Sequence, residues 1–283
     1  MKQWLITPQQ LSGLEKGKVV IFDCRFSLAD HTLGKQQFGD NHVPGAFHLD
    51  MELDLSAAIK SQHGGRHPLP DPSVFQQRMR QHGVNTDTLV VAYDNNRLAG
   101  AARLWWLLRY FGHSNVMILD GGLSGWQAAG FSTSTLVKPP KVTGNFKARP
   151  GQLPVVDRRW VSQHLNDPAV KLIDAREAIR YRGEAEPIDL CAGHIPGAFN
   201  APWQRVTEEN GTVKPALCQQ QIWQQLPSAE RYVVYCGSGV TACVNLLSMA
   251  LAGVENSCLY DGGWSDWSSY PENPVAIGDS EEH

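Results

Sequence analysis

The strongest constraint on this chain is that it repeats itself. Val19-Val20-Ile21-Phe22-Asp23-Cys24-Arg25 returns as Val170-Lys171-Leu172-Ile173-Asp174-Ala175-Arg176, and His42-Val43-Pro44-Gly45-Ala46-Phe47 returns as His194-Ile195-Pro196-Gly197-Ala198-Phe199. Leu89-Val90-Val91-Ala92-Tyr93 parallels Arg231-Tyr232-Val233-Val234-Tyr235, and Leu119-Asp120-Gly121-Gly122 with Trp126 parallels Tyr260-Asp261-Gly262-Gly263 with Trp267. Matches in the same order mean a tandem duplication, so whatever one half folds into, the other must fold into as well. The apolar runs 19–22, 89–93 and 116–119 are continuous rather than alternating, as in strands covered on both faces. Ala101 to Phe111 reads as a helix closed by Gly112, and Thr241 to Ala252 as one closed at Gly253. Strand–helix–strand order predicts, for each half, an α/β unit with a parallel sheet flanked by helices. The segment 137–150 holds three prolines and a glycine without periodicity, which is linker composition. The expected division is therefore 1–137, a linker at 138–150, 151–275, and a loose polar tail at 276–283.

A chain of 283 residues with 42% hydrophobic and 19% charged residues can bury two cores of ordinary size. Its formal net charge of −3 and absence of a basic field argue against nucleic acid or an anionic membrane surface as partner. The start, Met1 to Pro8, carries no apolar run of signal length, and no stretch approaches the ~20 apolar residues of a membrane helix. A cytoplasmic protein is expected. The six cysteines (24, 191, 218, 236, 243 and 258) form no CxxC pair, which argues against a disulfide framework and against a zinc site in a reducing compartment. No metal or nucleotide motif appears, so no cofactor is expected.

The chemistry concentrates at Tyr235-Cys236-Gly237-Ser238-Gly239-Val240-Thr241. A buried strand ends, a glycine-rich turn follows and a helix begins, so backbone N–H groups of Gly237, Ser238, Gly239, Val240 and Thr241 should converge at a helix N-terminus. Glycines relieve the steric cost of so tight a curl. A sulfur placed there should ionise below the pKa of a free thiol. The other five cysteines read as small buried apolar residues. In the first half, the position aligned with Cys236 is Asp94. A carboxylate cannot carry a transferable sulfur, so only the second half is expected to be catalytic.

These paired motifs, with a cysteine loop in the second half only, resemble the two-domain rhodanese-like sulfurtransferases, and closest the 3-mercaptopyruvate type. The likeness spans nearly the whole chain. It implies a tandem of rhodanese-like domains, the first inactive, and a Cys236 that accepts sulfur from a small donor as a persulfide. The sulfur would then pass to an acceptor such as thioredoxin, glutathione or cyanide. In that family, enzymes preferring thiosulfate often carry Arg-Lys after the cysteine, whereas Gly-Ser or Gly-Thr goes with 3-mercaptopyruvate; Gly237-Ser238 points to the latter, with thiosulfate as the alternative donor. The resemblance implies Arg182, in Tyr181-Arg182-Gly183, as the arginine that holds the donor's carboxylate. A second arginine usually follows Glu-Pro, but Glu186-Pro187 is followed by Ile188, and Arg103 in the first-half helix is the candidate to share that work. The resemblance also implies a proton relay through Ser238, His67 and an acid, for which Glu52 is the candidate. His42 and His194 recur in both halves and so read as structural.

Two other readings have sequence tests. A cysteine-dependent phosphatase or arsenate reductase clamps its oxyanion with an arginine in a longer loop, yet the sixth residue after Cys236 is Ala242 and no arginine follows it in the helix. A non-catalytic binding module fits the first half and not the second. Most of the nine tryptophans read as packing, with Trp264 a weaker candidate for lining a cleft.

Overall fold

The computed structural model describes residues 4–15, 17–59, 61, 63–137, 139 and 142–279. The chain divides into two compact units. The first comprises Met1–Ala57, Pro70–Gln152 and Thr207–Val213, and the second Ala58–Leu69, Leu153–Val206 and Lys214–His283. The boundaries drawn from sequence miss two arms: 58–69 belongs with the second unit and 207–213 with the first.

Each unit is a five-stranded sheet in which every pairing is parallel. In the first, β1 (Leu5–Ile6), β2 (Val19–Asp23), β3 (Phe47–His48), β4 (Leu89–Tyr93) and β5 (Val116–Leu119) lie in the order β1-β5-β4-β2-β3. In the second, β6 (Val155–Val156), β7 (Val170–Asp174), β8 (Phe199–Asn200), β9 (Arg231–Tyr235) and β10 (Ser257–Tyr260) lie in the order β6-β10-β9-β7-β8. The two orders are the same order, as a duplication requires. The central strands are buried, Val90 to Tyr93 and Val233 to Tyr235 completely so. The expected helices are Ala99–Tyr110 and Ala242–Ala252, the latter ending at Gly253 with φ +84°. No helix among the described residues is long and apolar enough to cross a membrane.

The repeated Asp-x-Arg motif is a structural staple. Arg176 bonds Asp174 at 2.6 Å and the Gly193 carbonyl at 2.6 Å, and Arg25 does the same with Asp23 and the Asn41 carbonyl. Burial alone would lower the pKa of Arg176, but its pairing with Asp174 more than reverses this and raises it above the ordinary value. His194 donates Nδ1–H to the Tyr181 carbonyl at 2.8 Å and stacks on the Tyr181 ring at 3.7 Å. His42 likewise donates to Phe38 and stacks on its ring. Both histidines are packing groups.

The proline-rich connection is better held than its composition suggested. Residues 138, 140 and 141 lie outside the described residues, but Phe146 is buried against Phe75, and the Gly144 and Phe146 amides bond Arg80 and Val84 carbonyls. The start of the tail is held too: Ala276 pairs with His194, and the Gly278 amide bonds the Arg182 carbonyl. Residues 280–283 lie outside the described residues.

Candidate active site

Chain direction in the second sheet locates the site. From β7 the chain leaves toward β8, whereas from β9 it leaves toward β10 on the opposite side. The loops after β7 and β9 therefore part and open a crevice at the carboxyl ends of the strands, where open parallel sheets bind ligands. Cys236 is the first residue after β9.

Two of the loop's carbonyls are held by the helix that follows β10. The Cys236 carbonyl accepts from the Trp264 amide and the Gly237 carbonyl from the Ser265 amide, both at 2.8 Å. A trans peptide holds its C=O and the following N–H in opposite directions, so the Gly237 and Ser238 amides face the other way. Gly239 has φ +76°, and a Cβ there would lie 2.5 Å from the Asp261 carbonyl oxygen, so only glycine closes this curl without strain. The helix then starts at Ala242 with Thr241 as N-cap and no side-chain cap, which leaves its terminal N–H groups facing the loop. Val240 and Cys236 are buried, Cys236 with 2% of its surface exposed.

The arm 58–69 completes the surroundings of this loop. Its Gly64 amide bonds Asp266 at 2.7 Å, its Arg66 amide bonds Ser265 at 3.2 Å and its Leu69 amide bonds Asp261 at 3.0 Å. The His63 ring stacks on Tyr270 at 3.9 Å. So held, the arm places His67 Nδ1 2.7 Å from Ser238 Oγ, both groups buried. It also places Arg66 against the loop: a Cβ on Gly237 would lie 2.9 Å from one Arg66 nitrogen and 3.7 Å from Arg180 Nη2. Burial lowers the pKa of Arg66, and the nearby Cys236 opposes that shift. Asp189 lies between these two guanidiniums, paired with Arg66 and, at 3.0 Å, with Arg180. Glu186 holds Arg180 at 2.7 Å and Arg176 at 3.1 Å from below.

Several expected site residues meet here and others do not. Cys236, Gly237, Ser238, Gly239, Val240, Thr241 and His67 are together. Arg182 is turned out of the site: it pairs with Glu184 at 2.6 Å on an exposed surface, and the guanidinium beside the loop is that of Arg180. The cause is helical geometry. On the short helix Ala178–Tyr181, with Arg182 as its C-cap, residues two apart leave about 200° apart. Glu52 pairs with His31 at 2.7 Å on the surface of the first unit. Arg103 is fully buried in helix Ala99–Tyr110, which leaves no face open to a soluble ligand. Ile188 is exposed. Trp264 is a core residue, fully buried, with its Nε1–H on the Cys191 carbonyl at 2.9 Å. Arg66, Arg180 and Asp189 went unrecognised in the sequence. Helical spacing around the buried Tyr181 could have found Arg180; nothing local marks the other two.

The first unit shows what such a loop is built to hold. Asp94 occupies the position of Cys236, and its carboxylate accepts from the Asn96 amide at 2.8 Å, Leu98 at 3.1 Å and Ala101 at 2.9 Å. Burial pushes this carboxyl's pKa up, and the amides pull against it. A cavity of about 530 Å3 lies over Asp94 in this unit, lined also by Asp120, Arg97 and residues 209–212. The loop after the central strand thus holds its own carboxylate on backbone amides in the first unit and begins with a thiol in the second.

The family model described as "Rhodanese-like domain" matches residues 7–129 and again 157–270. The chain is 41% identical over 286 residues to a Pseudomonas aeruginosa protein named "Probable 3-mercaptopyruvate sulfurtransferase", with 97% of this chain and 98% of the relative covered. It is 31% identical to a thiosulfate sulfurtransferase of Cricetulus griseus, with 98% and 95% covered. Among solved structures it is similar to the 3-mercaptopyruvate sulfotransferase SseA of Escherichia coli, with a TM-score of 0.81 and 34% identity over 93% of this chain and 99% of that one.

Proposed function

The chain belongs to the rhodanese-like family, whose domain it carries twice, and on that footing we propose that it is a sulfurtransferase in which Cys236 carries the sulfur as a persulfide. The reading rests on one observation above all: a thiol stands at the head of a loop whose twin in the first unit holds a carboxylate on three backbone amides. In the proposed reaction the Cys236 thiolate attacks the sulfur of 3-mercaptopyruvate and the carbon–sulfur bond breaks. The electron pair leaves on carbon as pyruvate enolate. The donor's thiol proton passes by way of Ser238 and His67, hydrogen-bonded at 2.7 Å, to the enolate carbon, giving pyruvate. The amides of Gly237 and Ser238 and the uncapped helix start stabilise the persulfide anion. Arg180 and Arg66 are the groups for the donor's carboxylate. In the second half-reaction an acceptor nucleophile takes the outer sulfur and the sulfur–sulfur bond returns its electrons to Cys236. The acceptor is a thiol, as in thioredoxin or glutathione, or cyanide. The six free thiols suit a reducing compartment such as the cytoplasm.

Thiosulfate is the second reading for the donor, favoured by two guanidiniums at the loop; sulfite then leaves in place of the enolate. The test is mass spectrometry of the intact protein after donor treatment. One sulfur atom should be gained on the Cys236 peptide, and Cys236→Ser should gain none and lose turnover. Sulfur transfer that survives in Cys236→Ser would sink the proposal.

A further inference from the structure

We infer that Asp189 sets the donor's charge: as the built-in counter-ion of Arg66 and Arg180, it makes the site select a singly charged carboxylate donor over a doubly charged one. The inference rests on the sulfurtransferase reading above. Three observations carry it. First, two guanidiniums crowd the same face of Gly237, within 2.9 Å and 3.7 Å of where a side chain would begin, and an Asp189 oxygen lies equally 3.7 Å from that point. Second, the Asp189 side chain is only 3% exposed, against 26% for Arg66 and 12% for Arg180. Its charge is therefore spent on those two partners and is poorly screened by water. Third, its position is enforced: the Ile188 and Asp189 amides both bond the Glu186 carboxylate at 3.1 Å, and that carboxylate is itself fixed by Arg176 and Arg180.

The charge balance follows. Arg176 is matched by Asp174 and shares Glu186 with Arg180. Asp189 then sits against Arg66 and Arg180 together, so the guanidiniums of Arg66, Arg176 and Arg180 are balanced by the carboxylates of Asp174, Glu186 and Asp189, and without the Asp189 charge the incoming donor would meet one net positive charge. A carboxylate with a neutral thiol brings one negative charge. Thiosulfate brings two, and the second faces the Asp189 carboxylate across the same small space. Selectivity here is set by a repulsive group rather than by an added attraction.

The experiment compares kcat/KM for thiosulfate and for 3-mercaptopyruvate in the full-length protein, its Asp189→Asn variant and its Asp189→Glu variant. Asp189→Asn keeps the shape and removes the charge, and should raise the thiosulfate-to-mercaptopyruvate ratio by about tenfold or more, ~1.4 kcal/mol of relative barrier, mostly through KM. Asp189→Glu should return the ratio toward that of the parent, which a merely structural role for the side chain would not do. If Asp189→Asn does not fold, Arg66→Gln supplies the test in the opposite sense, since loss of one positive charge should lower the ratio. A ratio that stays within about twofold in a folded Asp189→Asn, or in Arg66→Gln, overturns the inference. A parent protein that gains no sulfur on Cys236 from either donor overturns the sulfurtransferase reading itself, an outcome distinct from an unmoved ratio.

Discussion

Arg180 and Arg182 are separated by one tyrosine and have different surroundings. Tyr181 turns inward, with its hydroxyl on the Ala198 carbonyl at 2.6 Å and its ring on His194, and its two neighbours are thereby sent to different sides. Arg180 joins the Glu186 and Asp189 carboxylates beside the cysteine loop, whereas Arg182 spends its charge on exposed Glu184. A surface pair of that kind is worth little. Arg182→Ala should therefore leave KM for 3-mercaptopyruvate within about twofold of the parent. Arg180→Gln should raise it by about tenfold to a hundredfold, the loss of a charge-assisted hydrogen bond. Steady-state kinetics on both variants decides the matter, and a KM left unchanged in Arg180→Gln would mean that its guanidinium does not meet the donor.

At the scale of elements, the decisive unit is a strand end, a curled loop and a helix start, braced from behind by the Asp-Gly-Gly turn. Asp261 touches the site only indirectly. Its carbonyl sits where a Cβ of Gly239 would fall, and its carboxylate holds the arm through the Leu69 amide. The first unit uses Asp120 in the same way, accepting the Val213 amide of its own borrowed arm at 2.8 Å. The repeated motif thus fastens, in each unit, a segment drawn from the other repeat. Gly239→Ala should strain the loop at φ +76° and push it off Asp261, at about 1–3 kcal/mol of stability. Persulfide formation on Cys236 should fall far more than the melting temperature, because the amides lose their common focus while the core of the unit is untouched. Thermal unfolding beside donor-treated mass spectra would show it, and full persulfide loading in the variant would count against the cradle.

At the scale of the whole molecule, titration of buried histidines sets how stability follows pH. His82, His113 and His194 all have their pKa lowered, in each case chiefly by burial. Each binds a proton more readily unfolded than folded, so its contribution to stability is present above the ordinary histidine value and drains away as pH falls through it toward the depressed folded value. The melting temperature should accordingly drop between about pH 7.5 and about pH 5.5, and His113→Gln should flatten that slope. A melting temperature unchanged by acidification over this range would contradict the assignment. The sequence by itself determined the duplication, the parallel α/β architecture, the cysteine loop and its carboxylate twin, because these are written in local periodicity, in glycine positions and in motifs that come twice. The pairing of His67 with Ser238 was also expected, through likeness to a family pattern, and the two side chains lie 2.7 Å apart. Tertiary structure alone decided that residues 58–69 and 207–213 fold with the unit their sequence position does not suggest, that Arg66 and Arg180 rather than Arg182 lie beside Gly237, and that Asp189 stands between them. The physical reason is that charge has no periodicity: which guanidinium meets which carboxylate depends on distances across the chain, and those exist only once the arm is pinned and Tyr181 is buried.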